Sequence, residues 1–303
     1  MRASINAIIE SKGAEEMRPK NLNSKIFLDG GDPHETKQIM DLLGFLDGQT
    51  TNPTLIAKNP AARKRLEKGG KFSEEEILNF YHFVVREISG LLPQGSVSVE
   101  VYADPATGSD RMLLQGEKMF GWIPNAHIKF PSSEEGLKAA EQAVKKGLRV
   151  NMTLCFSQAQ AAAAYAATRG AKRGSVFVSP FVGRIDDRGE NGMELIANIM
   201  KMYAHSDRHV EVLTASVRTF DHLQYALKLG SDIITVPYGI LKEWGEKGLP
   251  LPGDDYTYNA GNLKAVPYRE YDLTDNWRNF DIAHDLTVKG MERFSADWNS
   301  LIG

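Results

Sequence analysis

The stretch AHIKFPSSEEGLKAAEQAVKKGLRVNMTLCFSQAQAAAAYAATRGAKRGSVFVSPFVG, residues 126–183, contains the repeating unit that decides the fold. Short apolar runs alternate here with longer amphipathic segments, which is the pattern of strands that are each followed by a helix. The predicted strands are 126–131, 149–156 and 175–183, and the predicted helices are 132–147 and 157–170. Strands that alternate strictly with helices pair in parallel, because each helix returns the chain to the same end of the sheet.

The same alternation continues on both sides of this stretch. Further strands are predicted at 25–31, 45–52, 96–104, 210–217 and 232–239, and further helices at 34–43, 73–92, 111–122, 191–206, 219–230 and 240–248. Eight strand–helix units are the composition of an α/β barrel, which typically needs about 250 residues. We therefore predict a (β/α)8 TIM barrel over residues 25–248. An open doubly wound sheet is the alternative, but no predicted strand ends in G-x-G-x-x-G or a P-loop.

Two segments lie outside the eight units. Residues 1–24 are polar and lack the apolar core of about 7–15 residues that a signal peptide has, so we interpret them as an N-terminal extension. Residues 249–303 form a tail with eight aromatic side chains. Its last apolar residues fall on one helical face: Met291, Phe294, Trp298, Leu301 and Ile302. We predict a helix that packs against the barrel, with a lid or a subunit contact as the alternatives.

The composition narrows the class of protein. Apolar residues make up 42% and charged residues 25% of the chain, as in a soluble globular protein. A formal net charge of −3 gives no basic surface for nucleic acid. The one cysteine, Cys155, cannot form an internal disulfide, which favours a reducing cytoplasm. We expect a cytoplasmic protein that binds neither nucleic acid nor membrane, and its oligomeric state stays open, a homo-oligomer included.

A lysine inside a strand is the most informative single residue. The active site of such a barrel forms at the C-terminal ends of the strands. Lys129 lies there between Ile128 and Phe130, in a strand that should be apolar on both faces. Burial disfavours the ammonium form, and a neutral amine is the form that attacks a carbonyl carbon. A lysine that extends to solvent, or that pairs with a structural carboxylate, is the alternative.

Other strand ends carry polar groups of complementary chemistry. Asp29 and Glu100 could supply the proton transfers that imine formation and carbon–carbon cleavage require, although acids at strand ends are common. Asn151 and Thr153 are two residues apart, so both side chains face the same side of their strand. Asn52, Ser179 and Ser216 occupy further strand ends.

Two arginines follow the sixth and seventh strands. Arg184 and Arg218 suit a phosphate group, which a guanidinium binds bidentately, but a surface salt bridge is the commoner role of an arginine. His205 and His209 have the spacing of a helical metal pair, yet they precede the seventh strand, at the opposite end from the site, and no third ligand is evident. Cys155 is predicted to be a small core residue.

Seven motifs, in order along the chain, resemble those of the transaldolases and the related fructose-6-phosphate aldolases. They are FLDGG at 27–31, TTNPT at 50–54, EV at 100–101, IKFP at 128–131, NMTLCFS at 151–157, SPFVGRID at 179–186 and ASVR at 215–218. The resemblance covers nearly every strand up to about Gly239, and TTNPT and SPFVGRID are its most specific parts. The segment ERFSADW at 292–298 also resembles the closing helix of longer family members.

The resemblance implies an enzyme of sugar phosphates that needs no cofactor or metal. Lys129 would hold a dihydroxyacetone unit from fructose 6-phosphate or sedoheptulose 7-phosphate as a Schiff base and pass it to an aldose phosphate, as in the pentose phosphate pathway. Asp29 would be the acid and base of cleavage, and Glu100 and Thr153 would activate the water that enters and leaves the imine. The implied substrate-binding residues are Asn52, Asn151, Ser179, Phe181, Arg184, Ser216 and Arg218.

Two positions separate the branches of this family. Transaldolases resemble this chain in having Glu at position 100 and Phe at position 181, where the aldolases typically have Gln and Tyr. A fructose-6-phosphate aldolase that releases free dihydroxyacetone is therefore the first alternative, and a non-catalytic sugar-phosphate-binding barrel is the second. Gly30 and Thr54 depart from the usual motifs, which have Thr or Ser after the first Asp and TTNPS at the second strand.

Overall fold

Eight parallel strands close into a barrel in the order of the chain. The computed structural model describes residues 17–303, so most of the predicted extension 1–24 lies outside the described residues. The strands are β1 (Lys25–Asp29), β2 (Gly48–Thr50), β3 (Ser96–Glu100), β4 (Ala126–Pro131), β5 (Val150–Cys155), β6 (Val176–Pro180), β7 (Val210–Thr214) and β8 (Ile233–Pro237). Because β8 pairs with β1, the sheet has no open edge, and the predicted (β/α)8 barrel is confirmed.

Helices surround this barrel and connect its strands. They are α1 (Pro33–Leu43), α2 (Pro53–Ala57), α3 (Pro60–Glu67), α4 (Glu74–Leu91), α5 (Ser109–Phe120), α6 (Glu134–Lys145), α7 (Gln158–Ala167), α8 (Val182–Asp186), α9 (Gly192–Tyr203), α10 (Phe220–Lys228), α11 (Tyr238–Glu246) and α12 (Asp285–Asn299). Within residues 17–303, no helix is both long and apolar enough to cross a membrane.

Several predicted strands are longer than the real ones. The predicted strand 175–183 ends at Pro180, and its last residues belong to α8. The predicted strand 45–52 is only Gly48–Thr50, since Asn52 already caps α2. These short helices sit at the carboxyl ends of β2 and β6, where they help to form the mouth of the barrel.

The interior of the barrel changes character along its axis. Phe27, Phe177, Leu213 and Ile233 form a cluster of their own inside the barrel, which we call the apolar floor. The rings of Phe27 and Phe177 meet edge to face, with their centroids 6.1 Å apart. Gly48 makes room for this layer, because a Cβ at that position would lie 2.6 Å from the Phe27 ring. Above the floor, towards the carboxyl ends of the strands, the inward side chains are polar.

The tail contacts the barrel through its terminal helix. Helix α12 contacts α2 and β5, and its buried face includes Met291, Phe294 and Trp298. Leu301 is buried as well, whereas Ile302 is only half-buried. The main chain at Leu301 accepts a hydrogen bond from the Phe72 amide, at 2.8 Å, which ties the end of the tail to the segment before α4. The helix therefore lies across the end of the barrel where the polar side chains are.

Candidate active site

A cavity of about 260 Å³ opens at the carboxyl ends of the strands. Of the predicted site residues, those that line it are Asp29, Asn52, Lys129, Thr153, Ser179, Phe181, Arg184, Ser216 and Arg218. Glu100 and Asn151 lie just behind its wall, where they touch Lys129 and Ser179. Residues far apart in the sequence therefore meet in one place, because every parallel strand delivers its last inward side chain to the same end of the barrel.

Lys129 points into the barrel and is only 3% exposed. Its Nζ atom lies 2.8 Å from Oε2 of Glu100 and donates a hydrogen bond to the carbonyl oxygen of Thr51, at 3.0 Å. The alternative in which this lysine extends to solvent is therefore wrong. Its carboxylate partner is itself one of the predicted site residues, so the pair can exchange a proton within the cavity wall.

Two carboxyl groups flank the lysine and have altered acidity. Burial raises the pKa of Glu100, with the charge of Lys129 opposing the rise. Burial likewise raises the pKa of Asp29, while Lys129 and a hydrogen bond from the Thr50 hydroxyl, 2.7 Å long, act in the opposite direction. A carboxylate with a raised pKa is a better proton acceptor. Both acids are thus suited to proton transfer beside Lys129.

One buried atom next to the lysine, Oγ1 of Thr153, has no hydrogen-bond partner in the described part of the chain. Oε2 of Glu100 has the Lys129 ammonium group 2.8 Å away as its ion-pair partner, so its charge is compensated. A buried polar atom without a partner costs about 1–3 kcal/mol, so such an atom calls for a specific explanation. A water molecule or a ligand hydroxyl beside Thr153 would satisfy this atom.

Asn151 and Ser179 belong to a chain of hydrogen bonds across three strands. The Ser179 hydroxyl donates to Oδ1 of Asn151, at 2.6 Å, and the Asn151 amide donates to the Ser98 hydroxyl, at 3.1 Å. All three residues are buried. The chain fixes the rotamer of Ser179, whose side chain lines the cavity, while Asn151 supports it from behind.

Asn52 and Phe181 border the cavity from the two short helices. Oδ1 of Asn52 accepts the amide of Leu55 at 2.9 Å and so caps α2, which leaves the Asn52 amide group for other contacts. Phe181 precedes α8 and its ring packs edge to face on Phe156, with the centroids 5.7 Å apart. Helix caps and ring packing therefore hold both side chains in defined positions.

The rim of the cavity near β6 and β7 is cationic. Arg218 is held by Asp187, with Nη2 and Oδ2 2.7 Å apart. Arg184 makes no ion pair with any of residues 17–303, and burial lowers the pKa of its guanidinium, as do the charges of Arg293 and Arg218. Ser216 adopts a left-handed conformation with φ of 59°, which is uncommon outside glycine and frequent at functional sites.

Two cations that were not among the predicted site residues, Lys58 and Arg293, line the same cavity. Lys58 ends α2, four residues after the TTNPT motif, and Arg293 lies within the ERFSADW segment. The only signal for Arg293 was its position next to Phe294 on the predicted inward face of the tail helix. Nothing in the sequence indicated that this face would lie at the mouth of the barrel.

The histidines and the cysteine that were given no role in the site lie away from the cavity or in the core. His205 is exposed, and Nδ1 of His209 lies 2.6 Å from Asp207 at the opposite end of the barrel from the cavity. Among residues 17–303, His, Cys, Asp and Glu form no group of three or more that could hold a metal ion. Cys155 is a core residue, as predicted, and burial raises the pKa of its thiol to about 12.

Comparison with known proteins gives matches over almost the whole chain. The family model Transaldolase/Fructose-6-phosphate aldolase matches residues 26–303. A protein named "Probable transaldolase" from Dehalococcoides mccartyi is 36% identical over 278 residues, which are 91% of this chain and 99% of that protein. Proteins of the same name from Brucella melitensis and Paracoccus denitrificans are 36% and 34% identical over 274 residues, which are 90% of this chain and 96% of each relative.

Proposed function

The chain belongs to the transaldolase/fructose-6-phosphate aldolase family, and we propose that it transfers a dihydroxyacetone unit from a ketose phosphate to an aldose phosphate through a Schiff base on Lys129. The observation that carries the proposal is the buried Lys129 amine, 2.8 Å from a carboxylate, at the base of a cavity with a cationic rim. Such a transfer belongs to the pentose phosphate pathway, and we expect the enzyme to work in the cytoplasm.

The first step joins the lysine to the ketose. Glu100 takes a proton from the ammonium group, and the neutral amine adds to the C2 carbonyl carbon of the sugar. The resulting carbinolamine loses its hydroxyl as water, which leaves a protonated imine. The Glu100 carboxylate beside Lys129 and the unpartnered Thr153 hydroxyl support this assignment, because both groups can bind the departing water.

The second step breaks the bond between C3 and C4 of the bound sugar. Asp29 removes the proton of the C4 hydroxyl, C4 becomes the carbonyl carbon of the departing aldose, and the bonding electrons flow into the imine to form an enamine. The protonated imine is the electron sink, so this chemistry calls for neither metal nor cofactor. Addition of the enamine to an acceptor aldehyde, followed by hydrolysis, reverses the sequence and frees Lys129.

The proposed phosphate site is the cationic rim. Arg184 has no ion-pair partner within residues 17–303, and Arg218 shares its charge with Asp187. A phosphate ester offers three acceptor oxygens and about two negative charges at neutral pH, which suits paired guanidinium groups. Ser216 adds a hydroxyl at the same rim.

Phe181 supports transfer over release. It lines the cavity and has no proton to donate to the enamine, so the carbon nucleophile is left for an acceptor aldehyde. The alternative of an aldolase that releases dihydroxyacetone would require a proton donor in this place. A non-catalytic barrel would not need a buried lysine–carboxylate pair beside an unpartnered hydroxyl.

Borohydride trapping tests the proposal directly. Incubation with fructose 6-phosphate and borohydride should fix a three-carbon adduct on Lys129, and wild type should transfer the unit to erythrose 4-phosphate. Lys129→Met should lose both the adduct and the activity. Lys58→Met is the matched control, since Lys58 lines the same cavity and should leave trapping intact. An adduct that peptide mapping places on Lys58, or an active Lys129→Met enzyme, would contradict the assignment.

A further inference from the structure

The C-terminal helix brings an arginine to the cavity. Arg293 lies on α12 and lines the cavity together with its neighbour Phe294. Arg184 and Arg218 line the same cavity from α8 and from the loop after β7. Three guanidinium groups from three separate segments therefore meet at one rim.

The backbone that carries Arg293 is held in place on both sides. One turn and a half before it, the Thr287 hydroxyl donates to the carbonyl oxygen of Leu154 in β5, at 3.0 Å. One turn after it, the Asp297 carboxylate accepts the hydroxyl of Thr54 in α2. A guanidinium on a helix that is fixed to the barrel in this way is preorganised, so a ligand need not order the helix when it binds.

The charges around Arg293 are only partly balanced by protein groups. Among residues 17–303 its carboxylate neighbour is Asp297, whose Oδ2 lies 3.9 Å from the Arg293 Nε and already accepts a hydrogen bond from Thr54. Arg218 has a close partner in Asp187, and Arg184 has none in the described range. The pKa of Arg184 is lowered by burial first and by Arg293 next, so the two cations are near enough to repel each other.

We propose that Arg293 binds the substrate phosphate together with Arg184 and Arg218, so that the C-terminal helix supplies the third guanidinium of a site for a phosphomonoester dianion. The inference rests on the proposed function, because it takes the substrate to be a sugar phosphate. A dianion between the three groups would offset their mutual repulsion, and its oxygens would provide the acceptors that the protein does not.

Calorimetric titration with inorganic phosphate tests this assignment without turnover. Arg293→Gln should weaken phosphate binding about 5- to 10-fold, a modest loss because the arginine is half-exposed and partly screened. Lys289→Gln is the matched control. Lys289 lies one turn earlier on α12, where it pairs with Asp285 at 3.1 Å and does not line the cavity. Its substitution removes the same single positive charge from the same helix. This control should bind phosphate as wild type does.

Kinetics should show the same selectivity. Arg293→Gln should raise KM for fructose 6-phosphate by a similar factor, and it should leave turnover of unphosphorylated fructose unchanged. Phosphate binding by Arg293→Gln that equals that of Lys289→Gln would overturn the proposal, as would a wild-type enzyme that binds no phosphate. If Arg293→Gln does not fold, Arg293→Lys decides: it keeps the charge but loses the bidentate fork, so wild-type affinity in that variant would overturn the proposal.

The two proposals fail separately. Transfer between sugar phosphates by the wild-type enzyme reports on the proposed function alone. An enzyme that performs the transfer, but whose Arg293→Gln variant binds phosphate normally, would refute only the role of the helix.

Discussion

The side chain at position 181 is expected to decide whether the enamine persists until an acceptor aldehyde binds or is protonated and released. Phe181→Tyr places a hydroxyl in the cavity, and we expect it to raise the release of dihydroxyacetone from fructose 6-phosphate without an acceptor. A positioned general acid gains about 10²–10⁴-fold in rate, and a tyrosine not selected for this place should deliver part of that. The measurement is dihydroxyacetone formed per enzyme, compared with wild type.

Phe156→Tyr is the control for this substitution. Phe156 packs on Phe181 but does not line the cavity, so the same added hydroxyl should not raise release. Abundant release by the wild-type enzyme would place the chain on the aldolase side of the family, with the Schiff base unaffected.

The two arginines after β6 and β7 should differ in importance. Arg184→Ala should raise KM for fructose 6-phosphate by about 10- to 150-fold. This factor corresponds to the loss of about 1.5–3 kcal/mol, which is the contribution of a hydrogen bond to a charged group. Arg218→Ala should have a smaller effect, because Asp187 already shares its charge and the side chain is 41% exposed. Steady-state kinetics of both variants with phosphorylated and unphosphorylated donors checks this order. Equal KM values for wild type and Arg184→Ala would mean that the phosphate binds at a different place in the protein.

The acid limb of activity should report on Asp29. A base must be deprotonated, so activity should fall as the pH drops through the raised pKa of Asp29, at a pH above the usual 3.8. The Thr50 hydrogen bond favours the carboxylate, so Thr50→Val should raise this pKa further and move the acid limb to higher pH. The measurement is kcat against pH for both proteins, with folding confirmed at each pH. A limb that stays in place or moves to lower pH would argue against Asp29 as the base.

At the scale of elements, helix α12 and strand β5 fit each other closely. Leu154 has a left-handed backbone with φ of 55°, at an irregularity in the pairing of β5 with β6. Gly290 of α12 lies against it, and a Cβ at Gly290 would come within 2.6 Å of the Leu154 side chain. Because Leu154 directly follows Thr153, the helix supports the segment that carries a site residue.

Gly290→Ala should therefore lower the free energy of unfolding relative to Gly90→Ala by about 1–3 kcal/mol, the usual cost of overpacking, since both substitutions gain the helix preference of alanine. Gly90→Ala in α4 is the control, since nothing lies within 4 Å of its added methyl group and alanine favours the helix. Urea unfolding of the three proteins measures the difference. Equal losses in both variants would mean that the contact with Leu154 is not the cause.

The sequence predicted which elements exist better than where they end. Hydrophobic periodicity identified each strand of the barrel, because parallel strands are buried on both faces and their apolar runs are distinct. The periodicity does not distinguish Ser179 and Pro180, the last residues of β6, from Val182 in α8, since all three continue the same weakly polar run. Short helices such as α2 contain too few turns for a period to be visible.

For the site, the residues at or just after the ends of the strands could be predicted to share one cavity, whereas Lys58 and Arg293 could not. Lys129 stood out because a charge in an apolar strand has few explanations, and its partners follow from the parallel alignment of the strands. Arg293 depends on where a tail outside the eight units docks, which is decided by the fit of Gly290 to Leu154 and similar contacts across more than a hundred residues of sequence. Periodicity predicts which face of such a helix is buried, but it does not predict which part of the protein that face packs against.

At the scale of the whole molecule, the two ends of the barrel interior differ in function: the proposed chemistry takes place at the end that carries Lys129 and not at the other. Lys129 and His127 are two residues apart on β4, so both point inward, one above the apolar floor and one below it. The His127 ring stacks on Phe177, with the centroids 4.1 Å apart, and its nitrogens lie 2.7 Å from the Ser96 hydroxyl and 2.9 Å from the carbonyl oxygen of Gly174. This end has no part in the proposed chemistry.

His127 should make the fold sensitive to acid. Burial lowers its pKa from 6.5 to about 3, so the neutral ring is favoured when folded. The stability is fully present above pH 6.5 and is lost as the pH falls towards 3, by about 1.4 kcal/mol for each pH unit. His127→Gln removes this group, and its free energy of unfolding should fall less steeply between pH 6.5 and 4. Equal slopes for the two proteins in urea titrations would show that other groups dominate.

The apolar floor also has a consequence for hydrogen isotopes. It separates the cavity of the site from a second cavity at the other end of the barrel, so solvent reaches the bound intermediate from the mouth. A substrate or inert sugar phosphate that occupies the mouth then stands between the enamine and deuterium oxide. The rate of deuterium incorporation at the nucleophilic carbon should consequently fall as the concentration of this ligand rises. That rate would then measure the fraction of time for which the mouth of the cavity is unoccupied.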